Sequence, residues 1–154
     1  MSNEESVNIK RLEEGDLNSF VDLVKLFEEV FEMENFSIPD TKHLQRLFNQ
    51  NNFDVFVAFK DNKVVGGLTI YILEQYYSEK ALAYIYDLAV AAKYQRQGIG
   101  KKLIEEVKIL YKMNGFEDMF VQAEKVDKQA IEFYRKTNPS EEEKVVYFSY
   151  SLNK

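Results

Sequence analysis

Asp87 is the one charged residue between Lys80 and Lys93, in a run from Ala81 to Val90 that is otherwise apolar or aromatic. A carboxylate inside a buried strand is costly unless it is paired or protonated. Burial raises the pKa of an Asp. Such a group can serve as a general base or as an anionic anchor for an ammonium. It can equally be a structural Asp bonded to nearby backbone or to a Lys. The next chemistry-bearing stretch is Gln95-Arg96-Gln97-Gly98-Ile99-Gly100, with Lys93, Arg96, Lys101 and Lys102 around it and no acid from 88 through 104. Glycines at a helix start let backbone N–H groups converge on an anion, which the helix dipole also favours. The segment reads as a phosphate cradle, or as a plain helix cap with solvated lysines.

The residue types that are missing narrow the chemistry further. The chain has 154 residues, no Cys and a single His, His43. Disulfides, thiolate nucleophiles, Cys-ligated zinc and a His-rich metal site are excluded, and no metal is expected. His43 follows Asp40-Thr41-Lys42 and reads as a solvated helix residue. Acid–base work therefore falls to carboxylates, tyrosines or lysines.

The net charge of -6 argues against nucleic acid as a partner. No apolar run is long enough to span a membrane. The start Met1-Ser2-Asn3-Glu4-Glu5 is unlike a secretory signal, so a cytoplasmic protein is expected. Residues 1–40 hold 11 acids and 3 bases, whereas 41–154 hold 15 acids and 17 bases. This asymmetry reads as a solvated helix face or as a field for a cationic ligand. Glu28, Glu29, Glu32 and Glu34 lie in the acidic region, and Glu74 and Glu79 flank the loop before the Asp87 strand as equal candidates. The sequence does not choose among them.

These groups need elements to position them. Alternation predicts strands at 7–12, 53–59, 64–73, 119–123 and 145–152, with a central strand at 81–90 covered on both faces. Helical spacing from Leu17 to Phe31 predicts a helix capped by Asp16, and Pro39-Asp40 opens a second. A third helix starts at the glycines and stops at Gly115, and a fourth runs from Asp127 to Asn138-Pro139. Asp61-Asn62 joins a hairpin. The result is one α/β domain over 1–154. Its sheet is mixed and mainly antiparallel with a central parallel pair, and helices cover both faces.

The third-glycine position of a dinucleotide fingerprint is Leu103, and no P-loop pattern is present. In context, Gln95 to Gly100 resembles the [QR]-x-x-G-x-[GA] pattern of the GNAT N-acetyltransferases, and the element order is similar along the whole chain. A narrower resemblance, to the aminoglycoside 3-N-acetyltransferase members, rests on Tyr84-Ile85-Tyr86-Asp87-Leu88-Ala89-Val90, the arginine loop and Val121-Gln122-Ala123. The resemblance implies acetyl-CoA as co-substrate, its pyrophosphate on Gln95, Arg96, Gln97, Gly98, Ile99, Gly100 and Lys101. It implies that the Leu88-Ala89-Val90 backbone pairs with pantetheine and polarises the thioester carbonyl. Asp87 would be the base, and Tyr134 the acid that protonates the leaving thiolate. The implied acceptor is an aminoglycoside or similar cationic amine, for which Glu28, Glu29 and Glu79 are candidate contacts. Other acceptors for the same chemistry are peptide or metabolite amines, and a non-catalytic acyl-CoA sensor is the reading from another class. Relatives of this kind are often homodimers. The chain departs from the family after its last helix, where Lys136-Thr137-Asn138-Pro139-Ser140 replaces a Gly-hydrophobic turn. Asp127 replaces a frequent Asn and needs only an N-cap role.

Overall fold

The structure is a computed structural model that describes residues 6–153, so the acidic start Met1–Glu5 lies outside the described residues. The chain forms two compact units, Met1–Gln122 and Ala123–Lys154. The first contains β1 (Asn8–Arg11), α1 (Leu17–Val30), α2 (Thr41–Phe48), β2 (Phe53–Lys60), β3 (Lys63–Leu73), β4 (Leu82–Val90), a 3₁₀ turn at Ala92–Tyr94, α3 (Ile99–Met113) and β5 (Asp118–Val121). The second contains α4 (Lys128–Arg135).

The sheet order is β1-β2-β3-β4-β5. The first three pairings are antiparallel and β4–β5 is parallel, as the α3 crossover requires. The hairpin turns at Asp61 and Asn62, both with positive φ, a geometry that Asp and Asn tolerate well. Apolar residues split by strand parity. Phe53, Val55 and Val57 pack with Phe20, Leu23, Leu26 and Phe27 of α1 and Leu44 of α2. Phe56 takes the other face and meets Tyr111 of α3 edge-on at 6.1 Å. Gly67 lets α1 approach β3. A Cβ there would stand 2.6 Å from the Phe56 carbonyl oxygen and 2.7 Å from a Leu23 methyl.

The helix ends follow local chemistry. Asp40 accepts from the Lys42 N–H and Asp127 from the Ala130 N–H. The end of α3 is a Schellman motif: Phe116 N–H donates to Tyr111 O and Gly115 N–H to Lys112 O, with Gly115 at φ +79°. Asp16 departs from expectation. Its position is the N-cap of α1, but its side chain makes no cap bond. It accepts instead from the Glu13 N–H and pairs with Lys10, which hold its carboxyl below the usual range, the Glu13 bond most strongly.

Two further expectations are corrected. The expected strand at 145–152 is not formed. Residues 141–153 have no regular structure and are exposed throughout. Alternation sets the face pattern of a strand but does not supply the neighbouring edge that a ladder needs. The central strand is also not covered on both faces along its length, because Tyr86 is 58% exposed.

Candidate active site

A β-bulge in β4 builds the site. Leu88 faces Leu68 and Asp87 faces Thr69, but the next pair is Ile85 with Ile70, so Tyr86 is an extra residue. An inserted residue flips the alternation that follows it. Ile85 therefore shares the α3 face with Ile70. Asp87 and Ala89 turn to the α1/α2 face, where Ala89 joins the cluster around Leu23. Tyr86 lies on that face as well, since its ring meets Tyr71 at 5.5 Å and Tyr84 at 5.9 Å.

An aromatic row crosses four strands as a result. Phe53 meets Tyr71 at 5.0 Å, and Tyr84 stacks on Phe120 of β5 at 4.7 Å. The Tyr84 hydroxyl donates to Gln122 at 3.0 Å. Asp87 sits beside this row, half-buried. Burial pushes its carboxyl above the usual range. Burial also raises the Tyr71 phenol, with Tyr86 and Asp87 adding to the shift. Among the described residues, none forms a hydrogen bond or ion pair with the Asp87 carboxylate, so the structural reading in which a Lys or backbone group satisfies it is not what the fold provides. The carboxyl is poised to take a proton.

The β4–β5 ladder ends at Ile85 with Val121, whereas β4 continues to Val90. Among the described residues, no strand pairs with that edge of β4 from Tyr86 to Val90. Leu88, Ala89 and Val90 therefore present an open edge next to Asp87. An extended ligand with amide groups can add to such an edge.

The turn after β4 is tightly defined. Ala91 N–H donates to Val65 O at 2.8 Å, and the Gln95 side-chain amide donates to Val90 O at 2.8 Å. Gln95 thus ties the loop to the strand. Arg96 and Gly98 are both left-handed, at φ +64° and +82°. Turns of this kind direct successive N–H groups to one side. A Cβ on Gly98 would meet nothing within 4 Å, so its backbone angle, rather than space, favours glycine there. Ile99 and Gly100 are buried in the first turn of α3, whose leading N–H groups have no intrahelical acceptor. Lys93, Arg96 and Lys101 supply positive charge. Lys102 is engaged elsewhere, donating to the Val7 carbonyl, and Gln97 accepts from Lys60 at 3.4 Å. The donor set suits a polyphosphate.

The acids expected to contact substrate do not gather at one place. Glu28 and Glu29, with Lys25, Glu32, Met33 and Ile38, line an open cavity of about 590 Å³ at the end of α1. Glu79 and Asp87 are not among its lining residues. His43 lies on α2 with its ring at 3.1 Å from Arg46, exposed as expected. Tyr134, on α4 in the second unit, meets the Phe133 ring at 5.0 Å, and its carbonyl accepts from the Thr137 hydroxyl and N–H.

The sequence reading missed two features. One is the tyrosine row, because no sequence signal marks the bulge that assembles it. The other is Asp54, which is more deeply buried than Asp87. Arg11 donates to it at 2.8 Å and the Tyr111 hydroxyl donates to its other oxygen. Burial and Asp54 push the Tyr111 phenol well up. Satisfied on both sides, Asp54 ties β1, β2 and α3 together, while the half-buried Asp87 has no protein partner for its carboxylate among the described residues.

The chain matches the Acetyltransferase (GNAT) family over residues 20–138. Among solved structures it is similar to an aminoglycoside acetyltransferase, meta-AAC0020, from an uncultured soil metagenomic sample, crystallised with trehalose. Identity is 61% over 99% of this chain and 100% of that one, with a TM-score of 0.96. The same aminoglycoside acetyltransferase crystallised with sisomicin gives 62% identity over 96% and 97% of the two chains, with a TM-score of 0.94. A further aminoglycoside acetyltransferase, HMB0005, also from an uncultured soil metagenomic sample, is 32% identical over 96% and 99%, with a TM-score of 0.88. A comparison with curated proteins gives no match.

Proposed function

The chain belongs to the GNAT family of acetyltransferases, and we propose that it transfers an acetyl group from acetyl-CoA directly to a primary amine of an aminoglycoside or a similar cationic small molecule. The observation that carries this reading is Asp87. The bulge turns it toward the aromatic row, next to the open edge of β4, with no cation paired to it among the described residues and its carboxyl raised by burial.

In this mechanism Asp87 takes a proton from the substrate ammonium, directly or through water, and leaves a neutral amine nucleophile. Acetyl-CoA supplies the thioester. Backbone groups of Leu88 to Val90 align the extended arm of the co-substrate along the free edge and hydrogen-bond its carbonyl. The N–H groups of Gln97 to Gly100 hold the pyrophosphate, with charge from Lys93, Arg96 and Lys101. Tyr134 donates a proton to the departing sulfur. A free phenol is a weaker acid than a free thiol and carries its proton at neutral pH, which suits the residue type to this role. With no Cys in the chain, no thiol is available for an acyl-enzyme, and transfer is direct. The aminoglycoside acceptor is supported by 61% identity to meta-AAC0020 and by the excess of acids in residues 1–40.

Coenzyme A release, measured with a thiol reagent against aminoglycosides, polyamines and peptides, tests the proposal. Because the enzyme has no thiol of its own, background is low. Turnover on aminoglycosides is expected. Turnover on peptides alone would move the acceptor to a protein amine, and coenzyme A binding without any turnover would indicate a sensor.

A further inference from the structure

The aromatic row beside Asp87 is graded from core to water. Phe53 is buried, Tyr71 is partly buried, and Tyr86 is 58% exposed. The exposed end is nevertheless held in place. The Tyr86 ring stands nearly perpendicular to both of its neighbours, at 84° to Tyr71 and 81° to Tyr84. Tyr71 is braced in turn by Phe53. Tyr84 is braced by the almost parallel Phe120 ring and by its hydroxyl bond to Gln122. A bulge re-aims one side chain of a strand. Here it re-aims an aromatic ring immediately before the Asp87 carboxylate.

Core packing does not account for this ring. The cluster under α1 and α2 takes in Phe53, Val55, Val57 and Ala89, with Tyr71 at its margin, but not Tyr86. What the ring offers is a neutral surface for a cation. An aromatic face attracts an ammonium through its quadrupole, and its apolar body covers C–H surface. A second carboxylate at this point would also hold an ammonium, but it would repel the charge that Asp87 must carry as a base. A tyrosine holds the cation without that cost. Tyr71 behind it stays neutral as well, since burial first, and then Tyr86 and Asp87, keep its phenol above the ordinary value.

We propose that Tyr86, braced by Tyr71 and Tyr84, is the specificity-determining platform for the acceptor. Its exposed ring holds an ammonium-bearing ring of the acceptor while Asp87 takes the proton from the reacting amine. This rests on the acetyl transfer to a cationic amine proposed above and deepens it. The acceptor it favours is a compact ring that carries further ammonium groups beside the one that reacts.

The chain has no Trp, so Tyr86→Trp places a single indole on the platform and keeps an aromatic face. With coenzyme A present, its emission should change saturably as an aminoglycoside is added, over the range of the acceptor KM. Tyr86→Leu removes the aromatic face, whereas Tyr86→Phe removes only the hydroxyl. In the Leu variant the acceptor KM should rise about 2–30-fold, with kcat and the KM for acetyl-CoA close to parental. The Phe variant should restore the parental acceptor KM. The indole titration decides the question even if the Leu variant fails to fold. An unchanged acceptor KM in the Leu variant, a Phe variant equally impaired, a rise in the KM for acetyl-CoA instead, or an indole blind to the acceptor would overturn the platform and leave acetyl transfer standing. A parent protein that acetylates no aminoglycoside would overturn the acceptor reading itself, and the platform with it.

Discussion

Replacing Asp87 with Asn separates a catalytic carboxylate from a structural one, because the two roles move stability in opposite directions. In the fold Asp87 has burial against its charge and, among the described residues, no cation paired with it. Its folded pKa therefore lies above the unfolded value near 3.9. A raised carboxyl contributes its stability below the unfolded pKa and loses it as pH rises through the folded one. At pH 7–8 the ionised group opposes folding, and a neutral Asn of the same shape relieves that opposition. The Asn variant is therefore expected to melt at a higher temperature than the parent at neutral pH. Its turnover should fall by about 10²–10⁴, the usual contribution of a general base. At 1.36 kcal/mol per tenfold, this is about 2.7–5.4 kcal/mol of barrier. Thiol release gives kcat, calorimetry gives Tm, and a pH series of kcat/KM in the parent should show an acid limb above the ordinary carboxylate range that the variant lacks. A variant with parental kcat, or one destabilised as loss of a paired buried charge would be, refutes the assignment. Asp54→Asn is the control. Its partners Arg11 and Tyr111 are left imperfectly matched, and stability should fall.

Three further outcomes are expected. Tyr134→Phe should lower kcat about 10²–10⁴-fold with little change in either KM, read by the same thiol assay; an unchanged kcat would remove Tyr134 from the proton path. Gly98→Ala forces a side chain to φ +82° with no steric clash. The cost of about 1–2 kcal/mol is therefore in the backbone, and KM for acetyl-CoA should rise more than KM for the acceptor. Gly67→Ala places a Cβ against the Phe56 carbonyl oxygen and Leu23, and overpacking of this kind costs about 1–3 kcal/mol. At about 2–4 °C per kcal/mol for a chain of this size, calorimetry should show a clear loss, since a strand carbonyl cannot turn aside as a flexible side chain can.

Much of the fold was legible because its signals are local. Asp40 and Asp127 mark helix starts by their own hydrogen bonds, and Gly115 marks a helix end by its positive φ. Parity in β2 sorts Val55 from Phe56 without reference to the rest of the chain. The glycine turn after β4 was legible for the same reason, since Gln95 to Gly100 lie within one loop and open α3. The signals that failed depend on a neighbour. Val145–Leu152 has strand alternation, but an extended segment becomes a strand only beside a free edge. Asp16 stands at the N-cap position, yet Glu13 and Lys10 claim its carboxylate first.

The sequence by itself determined the available chemistry: a carboxylate in an apolar strand, a glycine turn among cations, and no thiol to carry an acyl group. Those are properties of residue type and short spacing, which folding does not alter. Tertiary structure decided which carboxylate is paired. Asp54 and Asp87 both interrupt apolar strands, but β1 and α3 bring Arg11 and Tyr111 to the first. A single inserted residue turns the second toward three tyrosines beside an open strand edge. The reason is physical: solvation and charge pairing at a buried carboxylate are set by groups far apart along the chain, and a bulge arises from the pairing of two strands rather than from either alone.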